Sequence, residues 1–321
     1  MSNETANPDT VADGRATRFA RGVFVANLVA QMGIVVTGAI VRVTSSGLGC
    51  PTWPRCTAGS FVPVEGQPEQ WHKYVEFGNR SLTFILGVLA ITSLVVAVMD
   101  RRRRVSQGLD RRPRIFWLAL VPILGTVAQA VLGGITVLTG LNPFVVAAHF
   151  LLSLVLIALL TNLVVASEEN GDEPVTLRVN EYIRKGAWLL CVLMATVLVL
   201  GTLVTASGPH AGDAHVARTG WDPQLVSWIH ADLVLLSIGL MVGLLVALRA
   251  TNAPRDIPTA GGVALLLFLS QGLIGYIQYF TGLPWLVVVF HVLGSVIVWW
   301  LTVRFLLKTR VRGPVAESSA G

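Results

Sequence analysis

Long apolar runs separated by short polar segments dominate the chain. Each of eight runs holds about 20 mostly hydrophobic residues, the helix length that crosses a hydrocarbon core of roughly 30 Å. The polar connections are too short for a soluble domain, and the polar residues 1–14 are expected to form a disordered tail. The pattern therefore predicts an all-α membrane protein with eight transmembrane helices. These helices are predicted at residues 22–41, 81–99, 115–138, 144–166, 186–206, 226–248, 260–281 and 285–307.

The chain also repeats itself. A shift of 142 residues, the separation of Gln129 and Gln271, aligns the third and fourth predicted helices with the seventh and eighth without a gap. Matches of Leu and Val are common between membrane helices, but matches of polar residues in one register are not. The matched pairs are Gln129 and Gln271, Gly133 and Gly275, Thr139 and Thr281, His149 and His291, and Ser153 and Ser295.

The first and second predicted helices align more loosely with the fifth and sixth, placing Gly38 against Gly201 and Asn79 against His230. Each half has an even number of spans, so both halves have the same orientation in the membrane. This predicts a parallel repeat of two tandem four-helix bundles, related by a pseudo-two-fold axis along the membrane normal. The expected divisions are an N-terminal half at 15–166, a cytoplasmic linker at 167–185, a C-terminal half at 186–312 and a cytoplasmic tail at 313–321.

Composition and charge distribution support a membrane protein. The 321 residues are 53% hydrophobic and 13% charged, with a mean hydropathy of +0.67. The net charge of +6 could indicate nucleic-acid binding, but 19 of the 24 basic residues fall on one side of an eight-span topology. By the positive-inside rule this side is cytoplasmic, which places both termini there and the chain in the cell membrane. The basic clusters are therefore interpreted as topology signals and lipid-headgroup contacts.

Three histidines lie inside the hydrophobic segments. His149, His230 and His291 are each four to six residues from the external end of a predicted helix, and thus about 6–9 Å below the surface. Two imidazoles from facing helices at one depth are a common way to hold heme iron in a helical bundle. The alternatives are hydrogen bonds between helices and a zinc site, and zinc is disfavoured because no further ligands accompany His230 and His291.

The first half departs from this pattern at Asn79, where the aligned residue of the second half is His230. An amide oxygen is a poor ligand for heme iron, so this half is expected to leave one face of an iron open. If the surrounding segment is helical, His72, Glu76, Asn79 and Arg80 share one face. An alternative for Glu76 is an interfacial pair with Arg80 that contributes under about 1 kcal/mol. The residues alone leave both interpretations open.

Cysteines and loop residues add further expectations. Cys50 and Cys56 flank two prolines in the first external loop, which favours a small disulfide over a metal site, and Cys191 is expected to be a buried apolar residue. His210 and His215 are expected to be solvated, in a loop that can also cover the second heme. Elsewhere in the repeat, Gln129 and Gln271 are expected to form hydrogen bonds between helices. Gly133 and Gly275 are expected to allow close approach of helices.

Nearly the whole chain resembles the heme A synthase (CtaA) family. The resemblance depends on the segment Gly38-Ala-Ile-Val-Arg-Val-Thr-Ser-Ser-Gly-Leu-Gly-Cys-Pro-Thr-Trp-Pro-Arg-Cys56, on Glu76-Phe-Gly-Asn-Arg80 and on the three helix-borne histidines. It implies an enzyme that oxidises the C8 methyl group of heme O to the formyl group of heme A by successive hydroxylations and loss of water.

The resemblance also implies roles for particular residues. His230 and His291 would be the axial ligands of a heme b cofactor. His149 would bind the iron of the heme O substrate, with Glu76 as the functional carboxylate. Cys50 and Cys56 would form the external disulfide found in many bacterial members.

One residue departs from the family pattern, which usually has His where this chain has Asn79. No ligand role is therefore assigned to Asn79, and His72 is an alternative candidate. Arg42 and Arg80 could contact heme propionates or simply anchor the chain at the headgroups.

The expected partners are the lipid bilayer, a heme O synthase, an electron acceptor and cytochrome oxidase as recipient of the product, with self-association left open and no nucleic acid. Two other functions compete. One is a diheme electron-transfer protein of cytochrome b type, and the other is a transporter with parallel repeats, which would require discontinuous helices.

Overall fold

Eight long helices account for most of the computed structural model, which describes residues 8–169, 171–210, 212–213 and 216–312. All eight are long and apolar enough to cross a membrane, which confirms the predicted fold class. The helices are α1 (Pro8–Val43), α2 (His72–Ser106), α3 (Pro113–Leu138), α4 (Pro143–Glu168), α5 (Glu181–Ser207), α6 (Pro223–Ala250), α7 (Asp256–Phe280) and α8 (Trp285–Lys308). Two short strands, β1 (Val175–Leu177) and β2 (Arg310–Arg312), complete the fold.

Local sequence signals start several of these helices. Asn142, Asn180 and Asp222 are the N-caps of α4, α5 and α6, and each side chain accepts a hydrogen bond from the backbone N–H two residues later. Such a cap satisfies a donor that has no partner within the helix. Pro143 and Pro223 follow two of these caps, where a missing N–H costs nothing.

The helices extend beyond their apolar runs. Residues 8–14, assigned from sequence to a disordered tail, belong to α1, whereas residues 1–7 lie outside the described part of the chain. The α2 helix begins at His72, nine residues before its predicted apolar run. Hydropathy marks only the segment that lipid requires to be apolar, and a helix can continue with polar residues once its backbone bonds are in place.

The helices pack as two rings of four. In the first, α1, α2, α3 and α4 contact one another in order and α4 closes onto α1; α5 to α8 form the second ring in the same way. Between the rings, α1 packs on α8, α4 on α5, and α4 on α8. A two-fold axis that exchanges each helix with its counterpart four positions later maps the first contact onto the second and leaves the third in place. The packing therefore has the symmetry predicted from the repeat.

The interface between the halves is tightly packed. Ile157 and Leu160 of α4 and Val296 of α8 are completely buried in one core that spans both rings. Across the same interface, the indole N–H of Trp299 on α8 donates to the carbonyl of Leu154 on α4, at 2.8 Å. Apolar packing and a hydrogen bond between helices thus hold the two bundles together.

A polar cluster closes one end of the molecule, which we call the sheet end. There β1 pairs antiparallel with β2, Thr176 opposite Val311. Glu169 accepts from Arg114, with 2.5 Å between Nη1 and Oε2, and also pairs with Arg310. The sheet was not expected in an all-α protein. It joins the linker to the segment after α8, so it adds to the contacts between the halves.

Glu169 is the acidic centre of this cluster, and its side chain is 7% exposed while that of Arg310 is 5% exposed. Burial lowers the pKa of the Arg310 guanidinium, and the Glu169 carboxylate opposes that shift. We expect Glu169→Ala to lower the free energy of unfolding by about 3 kcal/mol, because it leaves the buried guanidinium of Arg310 and the half-buried one of Arg114 without their shared carboxylate. Denaturant titration in mixed micelles measures this change.

The matched control is Glu181→Ala. Glu181 pairs with Lys185 on the surface of α5, and both side chains are 67% exposed. Screened surface pairs contribute little, so this variant should unfold like the parent protein. Equal stability of the two variants would contradict a structural role for Glu169.

Candidate functional site

The three helix-borne histidines lie at the end of the molecule opposite the sheet. We call this the disulfide-loop end, after the loop at residues 44–71. His149 and His291 are each six residues from the first residue of their helix, and His230 is seven from the start of α6. The rise of an α-helix places all three about 9–11 Å inside the helix ends. Each imidazole is half-buried.

In the second ring, His230 and His291 occur on α6 and α8, which stand at opposite corners. The Nδ1 atom of His230 is 3.0 Å from the carbonyl oxygen of Val197 on α5. Since a carbonyl can only accept, Nδ1 carries the proton, and the lone pair of the neutral ring is on Nε2. A backbone acceptor of this kind orients metal-binding histidines in many proteins. Val197 was not identified from sequence.

His149 and His291 share a different feature. The Nδ1 atom of each is buried and has no hydrogen-bond partner within the described part of the chain. Buried polar atoms are nearly always paired, so two equivalent unpaired imidazoles in the two halves suggest a missing ligand rather than a hydrogen bond between helices. Together with the diagonal placement of His230, the residues present fit a heme held between helices.

Glycines make room beside all three rings. A Cβ atom added at Gly133, Gly201 or Gly275 would lie 3.3, 3.4 or 3.7 Å from the Cε1 atom of His149, His230 or His291, respectively. The repeated pair Gly133 and Gly275 was expected to allow close helix approach, and the structure shows that what approaches is an imidazole ring.

The first ring holds Asn79 on α2, at the corner opposite His149 on α4. Like His230 in its own helix, Asn79 is seven residues from the helix start. Its Oδ1 atom is 2.7 Å from the hydroxyl oxygen of Thr37 on α1. Of the hydrogen bonds expected between helices, that of Gln129 is present, since its amide donates to the Ser153 hydroxyl at 2.8 Å. The buried amide oxygen of its counterpart Gln271 has no partner among the described residues.

Glu76 is buried and uses both carboxylate oxygens. Oε2 accepts from the backbone N–H of Cys50, and Oε1 accepts from Nε of Arg80 at 2.9 Å. The same guanidinium donates through Nη2 to the carbonyl of Cys50, at 2.8 Å, and through Nη1 to that of Thr52, at 2.9 Å. The pair with Arg80, raised from the sequence as the alternative to a functional carboxylate, is therefore present, but it is buried and holds the loop against α2.

The loop itself is cross-linked, as predicted. Cys50 and Cys56 form a disulfide with an S–S distance of 2.05 Å, and both are completely buried. The loop also carries Trp53 onto α3, where a Cβ at Gly134 would overlap the indole. Gly134 follows Gly133, which faces His149, so the loop covers the first ring near its histidine. In the repeat Tyr276 stands at the position of Gly134, a difference that could have indicated this contact.

The remaining candidates lie further from the histidine layer. His72 accepts or donates a hydrogen bond at Nδ1 to the Ser46 hydroxyl, at 2.9 Å, about two turns from Asn79. Arg42 lies in the last turn of α1, half-buried beside Gly212. The expectation of a solvated His210 is wrong, because its Nε2 is 2.9 Å from the carbonyl oxygen of Leu283. His215 lies outside the described residues.

Known proteins resemble this chain over most of its length. The model of the cytochrome oxidase assembly protein family COX15-CtaA matches residues 21–303. A heme A synthase of Shouchella clausii is 26% identical over 256 residues, covering 75% of this chain and 80% of the relative. One from Staphylococcus aureus is 24% identical over 288 residues, covering 84% and 88%. One from Geobacillus kaustophilus is 32% identical over 116 residues, which is 36% of this chain and 32% of that relative.

Proposed function

The chain belongs to the COX15-CtaA family of cytochrome oxidase assembly proteins, and from this we propose that it is a heme A synthase. Its substrate is heme O, whose C8 methyl group is oxidised to a formyl group by successive hydroxylations and loss of water. The observation that carries this proposal is the layer of three imidazoles, in which two equivalent rings have an unpaired buried nitrogen. The C-terminal half offers two imidazoles, which suits a resident cofactor. The N-terminal half offers one, which suits a substrate.

In the C-terminal half, His230 and His291 would hold heme b. A heme b held by two histidines supplies one-electron transfer, and the protein tunes it through the ligands and their hydrogen bonds. Val197 fixes the orientation of the His230 ring, and Gly201 and Gly275 leave room for both rings. The loop between α5 and α6 reaches the α7–α8 turn through His210.

In the N-terminal half, His149 would bind the iron of heme O, and Glu76 would accept protons released as the methyl group is oxidised. Arg80 and the Cys50 backbone hold this carboxylate in place. Because the Arg80 guanidinium already donates to Glu76 and to three loop carbonyls, Arg42 is the better candidate for a propionate contact. The hydrogen bond to Ser46 holds His72 away from the histidine layer, so His72 is not proposed as an iron ligand.

Heme O would come from a heme O synthase, electrons would leave to a separate acceptor, and the product would serve cytochrome oxidase. A diheme electron-transfer protein is the second candidate, supported only by the second-half histidine pair. The buried carboxylate and the single imidazole of the first half favour the enzyme.

Co-expression with a heme O synthase, followed by chromatography of the extracted hemes, tests the reaction. Heme O should be consumed and heme A should accumulate. Glu76→Gln should lower conversion by about 100-fold or more, since it removes the proton acceptor while keeping the side-chain shape. The control is Glu65→Gln, an exposed carboxylate of the same loop, which should leave conversion unchanged. Unaltered heme O in every strain would instead favour the electron-transfer protein.

The heme ligands can be tested by absorption and electron paramagnetic resonance spectroscopy. His230→Ala and His291→Ala should each abolish the low-spin b-type spectrum, because one imidazole cannot keep the iron low-spin. His210→Ala, which changes only the loop contact, should retain it. A low-spin spectrum that survives both ligand substitutions would exclude this histidine pair as the axial ligands.

We further propose a location in the cell membrane with both termini cytoplasmic, since 19 of the 24 basic residues then face the cytoplasm. A green fluorescent protein fused after residue 312 should therefore fluoresce, and alkaline phosphatase inserted beside Glu65 should be active. Inactive phosphatase together with a C-terminal fusion that does not fluoresce would show that the orientation is the opposite of the one proposed.

A further inference from the structure

Each half has a backbone carbonyl at an equivalent position of the repeat, near the aligned polar residue of that half. Val197 lies four residues before Gly201, and Ile34 lies four residues before the aligned Gly38. In the C-terminal half the Val197 carbonyl accepts directly from His230. The two carbonyls are thus equivalent in the repeat, and the side chains that face them, His230 and Asn79, can be compared directly.

In the N-terminal half a hydroxyl stands between the two groups. The Thr37 hydroxyl is 2.7 Å from Oδ1 of Asn79 and 3.0 Å from the carbonyl oxygen of Ile34. The residue aligned with Thr37 in the other half is Leu200, which has no polar group. Asn79 is shorter than a histidine, and Thr37 fills the remaining distance. The hydroxyl has one proton, which it donates to Asn79 over the shorter of the two distances, so the Ile34 carbonyl is not linked to Asn79 as the Val197 carbonyl is linked to His230.

The space for an imidazole is still present. A Cβ at Gly201 would be 3.4 Å from the His230 ring, whereas a Cβ at Gly38 would meet nothing within 4 Å. The opening beside Gly38 is the counterpart of the volume that the ring of His230 occupies.

The N–H donors of the Asn79 amide are not used by the contact with Thr37. Its oxygen is engaged by Thr37, and among the described residues no acceptor is found for its Nδ2 group. An amide N–H donates hydrogen bonds and does not bind iron. Asn79 is also at the corner and depth from which an imidazole would approach an iron held by His149.

We propose that Thr37 and Asn79 set an open coordination position in the N-terminal half, an inference that rests on the proposed heme site there. Thr37 is a positioning residue that holds the Asn79 oxygen. Asn79 presents its N–H group to a small exogenous ligand, such as water or a diatomic molecule, opposite His149. The C-terminal half, closed by His230 and His291, takes no such ligand.

Purified full-length protein, titrated with hemin as the probe, tests this inference. The wild type should take two hemes, one low-spin and one high-spin, and after reduction only the second should bind carbon monoxide. Asn79→His should convert the second heme to low-spin and reduce carbon monoxide binding at least tenfold, because the ring fits beside Gly38. The low-spin spectrum of the C-terminal half serves as the internal control.

Variants of Thr37 provide a second measurement, which does not depend on whether the Asn79→His variant folds. Thr37→Val keeps the side-chain shape but frees the amide, so the stretching frequency of bound carbon monoxide should shift. Thr37→Ser restores the hydroxyl and should restore the wild-type frequency. A purely structural role for Thr37 would alter stability and leave the frequency unchanged.

The outcomes separate this inference from the proposed function. Failure to bind a second heme would overturn the open position, whereas the proposed function stands or falls with the heme O conversion assay. A second heme that is low-spin in the wild type, or one that binds carbon monoxide equally well in Asn79→His, would overturn only the open position. An unchanged frequency in Thr37→Val would remove Thr37 from the proposal.

Discussion

Imidazole groups cannot remain unpaired inside an apolar bundle without a large cost in free energy. His149, His230 and His291 lie in one layer, yet the protein supplies a hydrogen-bond partner at Nδ1 only for His230 among the residues described. A ligand that completes these contacts would explain three features. The histidines lie on diagonally opposed helices, glycines lie beside the imidazole rings, and loops cover the ends of the bundles. The arrangement therefore supports the proposed heme sites, one in each ring of helices.

Duplication of one bundle explains why the two sites share a scaffold, and local substitutions explain why they differ. The interface built from α1, α4, α5 and α8 keeps the two rings at one level, with Trp299 bonded to Leu154 across it. On the first ring only, Glu76 and Arg80 clamp a disulfide loop that lays Trp53 against Gly134. The buried carboxylate of Glu76 thus lies in the half that has one histidine in the layer, and the aligned residue of the half with two histidines is Ser227.

Hydropathy and internal similarity were sufficient to predict the eight spans, the parallel repeat and the histidine layer, because each leaves a periodic signal in the chain. The disulfide also followed from a local pattern. Contacts made by backbone atoms or by distant residues leave no such signal. The Val197 carbonyl, the pairing of β1 with β2 and the bond from His210 to Leu283 belong to this class. The start of α2 was missed because polar residues can continue a helix outside the apolar region.

The difference between Asn79 and His230 has a simple chemical consequence. An iron held by two imidazoles exchanges electrons readily because its ligands do not change, but it offers no position to another molecule. An iron held by one imidazole can accept a further ligand. A protein that contains both kinds of site can separate electron transfer from the steps that alter the substrate. In the first half, the hydroxyl of Thr37, at the position aligned with Leu200, contacts the Asn79 amide that stands where the second half has His230.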